Sequence, residues 1–456
     1  MQVKIKIFFF KHLTPPRLFL FSFIALILAG TVLLWWPLAA TKGHLRFVDA
    51  LFTATSGVCV TGLTVLDIGK DLSSAGQIIT IFLFQVGGLG IITFSAFFFG
   101  LMGRGMSFKG REIVQSTLLH TPKREFFFIL KTVILLTAII ESLGALFLFI
   151  RFSQDFTLGK ALYYAFYHSI SAFNNCGYSL FPDSLVRYQG DLIVNMTVMI
   201  LIVLGGIGFI VLHEIIALFR GIQRQLSVHT KIVLVATEIF IISGAILFYI
   251  FERDHIIQAV PLPSKILICL FQSITPRTCG FNTVDISQLT NATILLLIMF
   301  MFIGASPGST GGGIKTTSSA LLFLMIWNRW KGNEEVNVFN RTIPKEILTR
   351  TISIILASAF SILLITSLLL ITGGGHLPPL ESRRFLVEYL FETTSAFGTV
   401  GLSMGITPAL NDIQKLAIIV MMFAGRVGPL TLAFSLSLIS SKKRSITYAE
   451  ETVMVG

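Results

Sequence analysis

Apolar runs separated by short polar breaks fill this chain from end to end. Eight of them, at 18–40, 76–102, 127–150, 191–219, 231–251, 291–327, 347–372 and 414–439, each hold at least 20 predominantly apolar residues. A helix of about 20 residues, rising 1.5 Å per residue, crosses the roughly 30 Å of bilayer hydrocarbon, so each run predicts a membrane span. Between the two spans of each successive pair lies a shorter, mildly amphipathic stretch of about three helical turns that ends in small or polar residues and a glycine. The four stretches are "LFTATSGVCVTGLTVLD" (51–67), "FYHSISAFNNCGYSLFPD" (166–183), "LFQSITPRTCGFNTVD" (270–285) and "LFETTSAFGTVGLSMGI" (390–406).

The pattern is a fourfold internal repeat. The glycines Gly62, Gly177, Gly280 and Gly401 are 115, 103 and 121 residues apart, and Ser56, Ser171 and Ser395 each stand six places before theirs. The third repeat departs, with Ile274 at that position and Thr275 beside it. The expected fold is therefore an all-α membrane protein: four tandem units of span, short re-entrant pore helix, glycine-bearing loop and span, giving eight transmembrane helices and four re-entrant pore loops around a central pore. By residue number it reads as an N-terminus 1–17, repeats at 18–102, 127–219, 231–329 and 347–439, and a C-terminal tail 440–456.

Non-helical backbone at membrane depth leaves peptide groups unpaired at several kcal/mol each, and it survives only where it is buried or lines a watery cavity. Four such loops in register suggest a ring whose inward carbonyls replace the hydration shell of a cation, the scheme of "TVGYG"-type filters. Glycine lets consecutive carbonyls face one way by leaving ordinary helix and strand angles. The candidate filter residues are Val60, Thr61 and Gly62; Asn175, Cys176 and Gly177; Thr278, Cys279 and Gly280; and Thr399, Val400 and Gly401. For one loop alone, a glycine that merely ends a helix explains as much; four copies in register favour the filter.

The second span of each repeat carries a glycine cluster: "QVGGLG" (85–90), "LGGIG" (204–208), "GASPGSTGGGIK" (304–315) and "AGRVG" (424–428). Three are compact enough to stay helical with a bend. The third, spanning Gly304, Ala305, Ser306, Pro307, Gly308, Ser309, Thr310, Gly311, Gly312, Gly313, Ile314 and Lys315, should unwind, since Pro307 removes a backbone donor and each glycine weakens the helix by roughly 1 kcal/mol. It reads as a loosely held gating loop on the cytoplasmic half of the pore, with a static packing linker as the alternative. Lys315 closes it. Arg426 interrupts the eighth span, where a lone charge costs about 2.5–3.5 kcal/mol unless paired or wetted; it suits hydrogen bonding to loop carbonyls or repulsion of a cation. Snorkelling toward the cytoplasm is the alternative, more natural for Lys315.

Three motif matches fail. "GSTGGGIKT" from Gly308 has Ile314 between the last glycine and the lysine that a phosphate-binding loop joins directly. "HEIIALF" has Ala217 where a zinc-protease motif needs its second histidine. Thr61 and Val400 occupy the place of Cys176 and Cys279 in the other repeats, so no thiolate cage forms. His168 reads as a packed pore-helix residue.

Composition sharpens the picture. Hydrophobic residues make up 54% and charged ones 13%, with mean hydropathy +0.82, against about 25% charge in soluble chains. Lys4, Lys6, Lys11 and Arg17 precede the first run, Arg104, Lys109, Arg111, Lys123 and Arg124 fill one loop, and Lys442, Lys443 and Arg444 follow the last. These basic segments carry the net charge of +12 and place both termini in the cytoplasm by the positive-inside rule, rather than indicating nucleic acid. The first run, at about 23 residues, exceeds a signal core of 7–15 and is expected to stay. The four cysteines show no CxxC spacing.

The motifs "SAFNNCG", "TPRTCGFNT", "TSAFGTVGL" and "GRVGPLTL", with the interrupted sixth span, closely resemble the Trk/Ktr/HKT superfamily of cation transporters, and most of all the membrane subunit of bacterial Ktr-type potassium uptake systems. The resemblance implies potassium translocation rather than enzymatic turnover, location in the cell membrane, a homodimer with one pore per subunit, and a cytosolic ring of nucleotide-binding (RCK-type) regulatory subunits. It implies no cofactor in this chain: potassium is the substrate, sodium a candidate activator, and nucleotide belongs to the partner. The basic segments Arg104–Arg124, Arg220–Lys231 and Arg329–Arg350 are the expected docking surface. A sodium-preferring transporter of the same superfamily is the main alternative; serine for the first filter glycine is that family's sign of it, and Gly62 stands against it. A membrane-embedded enzyme is the remaining one, without paired carboxylates or a nucleophile–base pair to support it.

Overall fold

The computed structural model describes residues 15–101, 123–374 and 378–428. Among them the chain is mostly helical: α1 (Pro15–Trp35), α2 (Phe47–Cys59), α3 (Ser74–Leu101), α4 (Lys123–Phe152), α5 (Leu158–Phe173), α6 (Leu192–Gly206), α7 (Phe209–Phe219), α8 (Val228–Glu252), α9 (Leu262–Ile274), α10 (Asn291–Phe302), α11 (Thr316–Trp330), α12 (Lys345–Gly374), α13 (Pro379–Gly398) and α14 (Asp412–Val427). The basic clusters at 4–11, 104–111 and 442–444 and the end of the eighth apolar run, from 429, lie outside the described residues.

The polar breaks between apolar runs supply the helix starts. Asp191, Ser227, Thr290 and Asn411 each accept a backbone N–H three residues on, at 3.0, 3.2, 3.3 and 2.9 Å, filling donors that a helix end leaves orphaned. At Asn411 the Gln414 side chain accepts the Asn411 N–H in return at 3.0 Å, completing a capping box. A small hairpin, β1 (Asn337–Val338) and β2 (Arg341–Thr342), turns through Phe339 and Asn340 with φ of 48° and 60°, the left-handed pair that suits a tight hairpin.

One contact scheme recurs four times. A long helix packs on the short helix that follows it and on the next: α1 on α2 and α3, α4 on α5 and α6, α8 on α9 and α10, α12 on α13 and α14. Each third member then packs on the next short helix, α3 on α5, α6 on α9, α10 on α13, and α14 back on α2. The last contact joins the end of the described chain to its beginning, so the series is cyclic. Among the described residues three helices are long and apolar enough to cross a bilayer on their own, Lys131–Phe152, Val228–Glu252 and Lys345–Gly373. α6 and α7 together make a fourth if a bend of 100° is allowed within one span.

That bend corrects one expectation. The cluster at 85–90 stays inside α3, but the one at 204–208 breaks the helix, with Gly208 at φ 96° and ψ 142°. In the fourth cluster α14 ends at Val427 and Gly428 takes nearly the same angles, φ 90° and ψ 135°. Two of the three compact clusters therefore leave helix, because a glycine at the right place makes that conformation cheap.

Candidate functional site

The four short helices α2, α5, α9 and α13 end in loops of the same unusual backbone. Val60, Asn175, Thr278 and Thr399 have φ of 56°, 59°, 78° and 50°, and two residues on, Gly62, Gly177, Gly280 and Gly401 have φ of 89°, 76°, 84° and 91°. A β-branched residue at positive φ costs of order 1–3 kcal/mol and persists only where its surroundings over-determine it; three of the four non-glycine positions are Val or Thr. The determinants are visible. The N–H groups of Thr61, Cys176 and Val400 return to the carbonyls of Ser56, Ser171 and Ser395 at 2.8, 2.9 and 2.8 Å, and that of Cys279 to Thr275 at 3.0 Å.

The serine hydroxyls add to this in two ways. Ser56 and Ser395 each accept the N–H of their glycine at 3.1 Å, whereas Ser171 donates to the carbonyl of Tyr178 at 2.8 Å. In the third repeat Thr275 donates to the carbonyl of Phe281 at 2.5 Å. The apparent departure at Ile274 is thus a shift of the hydroxyl by one residue.

The four loops meet with no side chain between them. Where Gly62 would carry a Cβ lies the carbonyl oxygen of Cys176; at Gly177 it is that of Cys279, at Gly280 that of Val400, and at Gly401 that of Thr61. Each glycine therefore accepts the backbone of the next repeat, and the fourth accepts that of the first. Thr61, Cys176, Cys279 and Val400 are all fully buried. A second set of glycines sets the depth of the loops: Gly87, Gly205 and Gly425 lie against the carbonyls of Val58, Phe173 and Phe397, each four residues before a loop glycine, leaving no room for a side chain.

Between α10 and α11 the chain leaves helix, with Ile303 and Ile314 forming a parallel bridge at its neck. This segment lies against one end of the ring. The Gly312 N–H donates to Thr399 Oγ1 at 2.9 Å, Gly311 abuts the Thr278 side chain, and the hydroxyl of Thr310 pairs with the Asn175 amide at 3.0 Å. It therefore touches three of the four residues that stand two places before the ring glycines. Arg426, 3% exposed, donates to the Thr310 carbonyl and to the carbonyls of Gly87 and Gly88, the last two at 2.6 and 3.2 Å. Lys315 Nζ donates to the Gly311 carbonyl at 2.9 Å.

The expectation of a loosely held loop does not survive. Ala305, Ser306, Ser309 and Thr310 are buried, and the N–H groups of Ser306, Thr310 and Gly313 donate to Gly206, Gly205 and Gly425 at 3.0, 3.2 and 3.2 Å. Glycine richness serves close backbone approach here as much as freedom of rotation: at Gly304 a Cβ would collide with the Gly312 carbonyl.

His168 is buried, its Nδ1 paired with the Tyr164 carbonyl at 2.8 Å and its ring stacked on Phe181 at 4.6 Å. The four cysteines are free and buried, and among the described residues no group of His, Cys, Asp or Glu is placed to hold a metal. One polar cluster has no counterpart in the motif reading. Glu141, inside α4, accepts from Asn174 Nδ2 at 3.1 Å and Gln85 Nε2 at 3.3 Å; a lone carboxylate in an apolar run was the available signal.

With this geometry in hand, the chain can be placed. The family model of TrkH, cation transport protein, matches residues 20–446, and the chain belongs to that family of membrane cation transporters. It is 36% identical over 443 residues to the Ktr system potassium uptake protein B of Vibrio alginolyticus, covering 97% of this chain and 95% of the relative. It is also 36% identical over 455 residues to the protein of that name from Bacillus subtilis, covering 99% of each. The potassium/sodium uptake protein NtpJ of Enterococcus hirae is 34% identical over 450 residues, covering 98% of each. The crystal structure of the potassium transporter TrkH from Vibrio parahaemolyticus shares the fold, with a TM-score of 0.70 at 20% identity over 92% of this chain and 84% of that one.

Proposed function

We propose that this chain is the membrane subunit of a Ktr-type potassium uptake system, passing dehydrated potassium through a filter built from the four loops. The observation that carries the reading is the closed order in which each loop glycine receives the carbonyl of the next repeat. Such a ring gathers backbone oxygens about one axis without any side chain in the way, which is what a cation leaving its water shell requires. On this reading the twelve residues 60–62, 175–177, 278–280 and 399–401 form the filter. The four contact units are four repeats with eight membrane crossings about a central pore, and both termini lie in the cytoplasm of a multi-pass cell-membrane protein.

The segment 304–315 is the gate, closing the cytoplasmic end of the filter through Thr310, Gly311 and Gly312, with Arg426 as its latch. The chain works as a homodimer, and a cytosolic nucleotide-binding ring controls it through the basic loops, with sodium as an activator. A sodium-passing reading is favoured by one observation, the potassium/sodium name of the relative NtpJ; Gly62 at the first ring position supports potassium. The test is flux into proteoliposomes holding the purified subunit. Potassium uptake that sodium does not match supports the reading, equal fluxes support the second, and no cation flux from well-folded protein with its partner overturns both.

A further inference from the structure

Behind the ring, the three later repeats share a contact that no motif predicts. In α5, His168 Nε2 pairs with Ser179 Oγ at 3.0 Å. In α9, Gln272 Nε2 donates to Thr283 Oγ1 at 3.3 Å. In α13, Glu392 Oε2 accepts from Ser403 Oγ at 2.8 Å, and its Oε1 accepts from Thr407 Oγ1 at 2.5 Å. Each pair is separated by 11 residues and ties the last two turns of a short helix to the segment just beyond the loop glycine. His168, Gln272 and Glu392 are at most 1% exposed.

Three different side chains thus reach a hydroxyl just past the loop glycine, two residues past Gly177 and Gly401 and three past Gly280. The first repeat has the hydroxyl, Thr64, but Thr53 stands at the helix position and donates instead to the carbonyl of Asp49 at 2.8 Å. There the tie crosses between repeats, from Tyr178 Oη to the Thr53 carbonyl at 3.0 Å.

We propose that these pairs are filter braces: His168, Gln272 and Glu392 are positioning residues that fix the width of the carbonyl ring and hence its discrimination between potassium and sodium. The proposal rests on the filter reading above. Its physical ground is that a loop holding β-branched residues at positive φ needs restraint on both sides of the glycine. The backbone bonds from Ser56, Ser171, Thr275 and Ser395 restrain the near side, and the braces restrain the far side. A buried polar contact also resists slippage, since breaking it leaves an unsatisfied group away from water.

The test uses the full chain in proteoliposomes and reads the potassium-to-sodium permeability ratio from zero-current potentials. Thr283→Val and the pair Ser403→Ala with Thr407→Val remove only hydroxyls, and each should lower the ratio by about tenfold, the equilibrium worth of losing such a bond. Glu392→Ala should do the same and should not add to the hydroxyl deletions. Glu392→Gln should keep the ratio, because Gln272 already performs the task with an amide. Should Glu392→Ala fail to fold, the hydroxyl variants still decide. Ratios unchanged in well-folded hydroxyl variants, while Gly62→Ser lowers the ratio, would overturn the braces and leave the filter standing; no change in Gly62→Ser either would sink the filter reading itself.

Discussion

Gly62 shows how much one residue controls. A serine there must hold φ near 89° and place its Cβ on the Cys176 carbonyl, so it distorts two repeats at once. We expect Gly62→Ser to lower potassium-over-sodium selectivity about tenfold, since left-handed backbone alone costs a side chain roughly 1–2 kcal/mol; reversal potentials of reconstituted protein give the answer. Arg426 is the second such residue. Bonds from a guanidinium to carbonyls are worth about 1.5–3 kcal/mol each, so Arg426→Ala should raise flux through the resting subunit about tenfold or more at unchanged selectivity. Flux at or below the original would remove it as a latch. The ring glycines were legible because a spacing of roughly 100–120 residues repeats in one dimension. The carbonyl that each glycine accepts was not, for it comes from a different repeat, and nothing in a linear pattern says which neighbour is next.

The segment 304–315 belongs to the scale of elements. Its departure from helix follows from Pro307 and the glycines, and the sequence carried that reason openly. What the sequence hid was the cost of moving it: the partners of its peptide groups, Gly205, Gly206 and Gly425, lie on α6 and α14. Removing several residues of the loop should raise flux more than Arg426→Ala does and should weaken dependence on the cytosolic partner, with selectivity kept. Deleted protein that is well folded yet passes little potassium would show that the segment serves packing. The same blindness explains α7. The glycine cluster at 204–208 looks like its neighbour at 85–90, and the choice between bend and break is made by what surrounds Gly208, where the Phe209 N–H donates to the Gly308 carbonyl at 3.0 Å.

At the scale of the molecule the cyclic contact series needs a fastening where its ends meet, and a buried ion pair stands there. Lys415 on α14 holds Asp49 on α2 at 2.7 Å, while Arg46 holds the same carboxylate at 2.8 Å. Removing one partner of a buried pair costs about 3–5 kcal/mol because the other charge stays behind. Asp49→Ala should therefore lower the midpoint of thermal unfolding in detergent markedly, whereas Arg46→Ala, on the exposed side, should barely move it. This fastening also sets a timetable. Asp49 and Lys415 are 366 residues apart, and at about 5–20 residues synthesised per second the first short helix waits roughly 20–70 s for the partner that encloses it. During that interval α2, too short to cross a bilayer alone, has one wall of its site not yet made. A ribosome that stalls before residue 412 leaves a chain with its ring open, and it is such chains that quality-control proteases of the membrane should clear first.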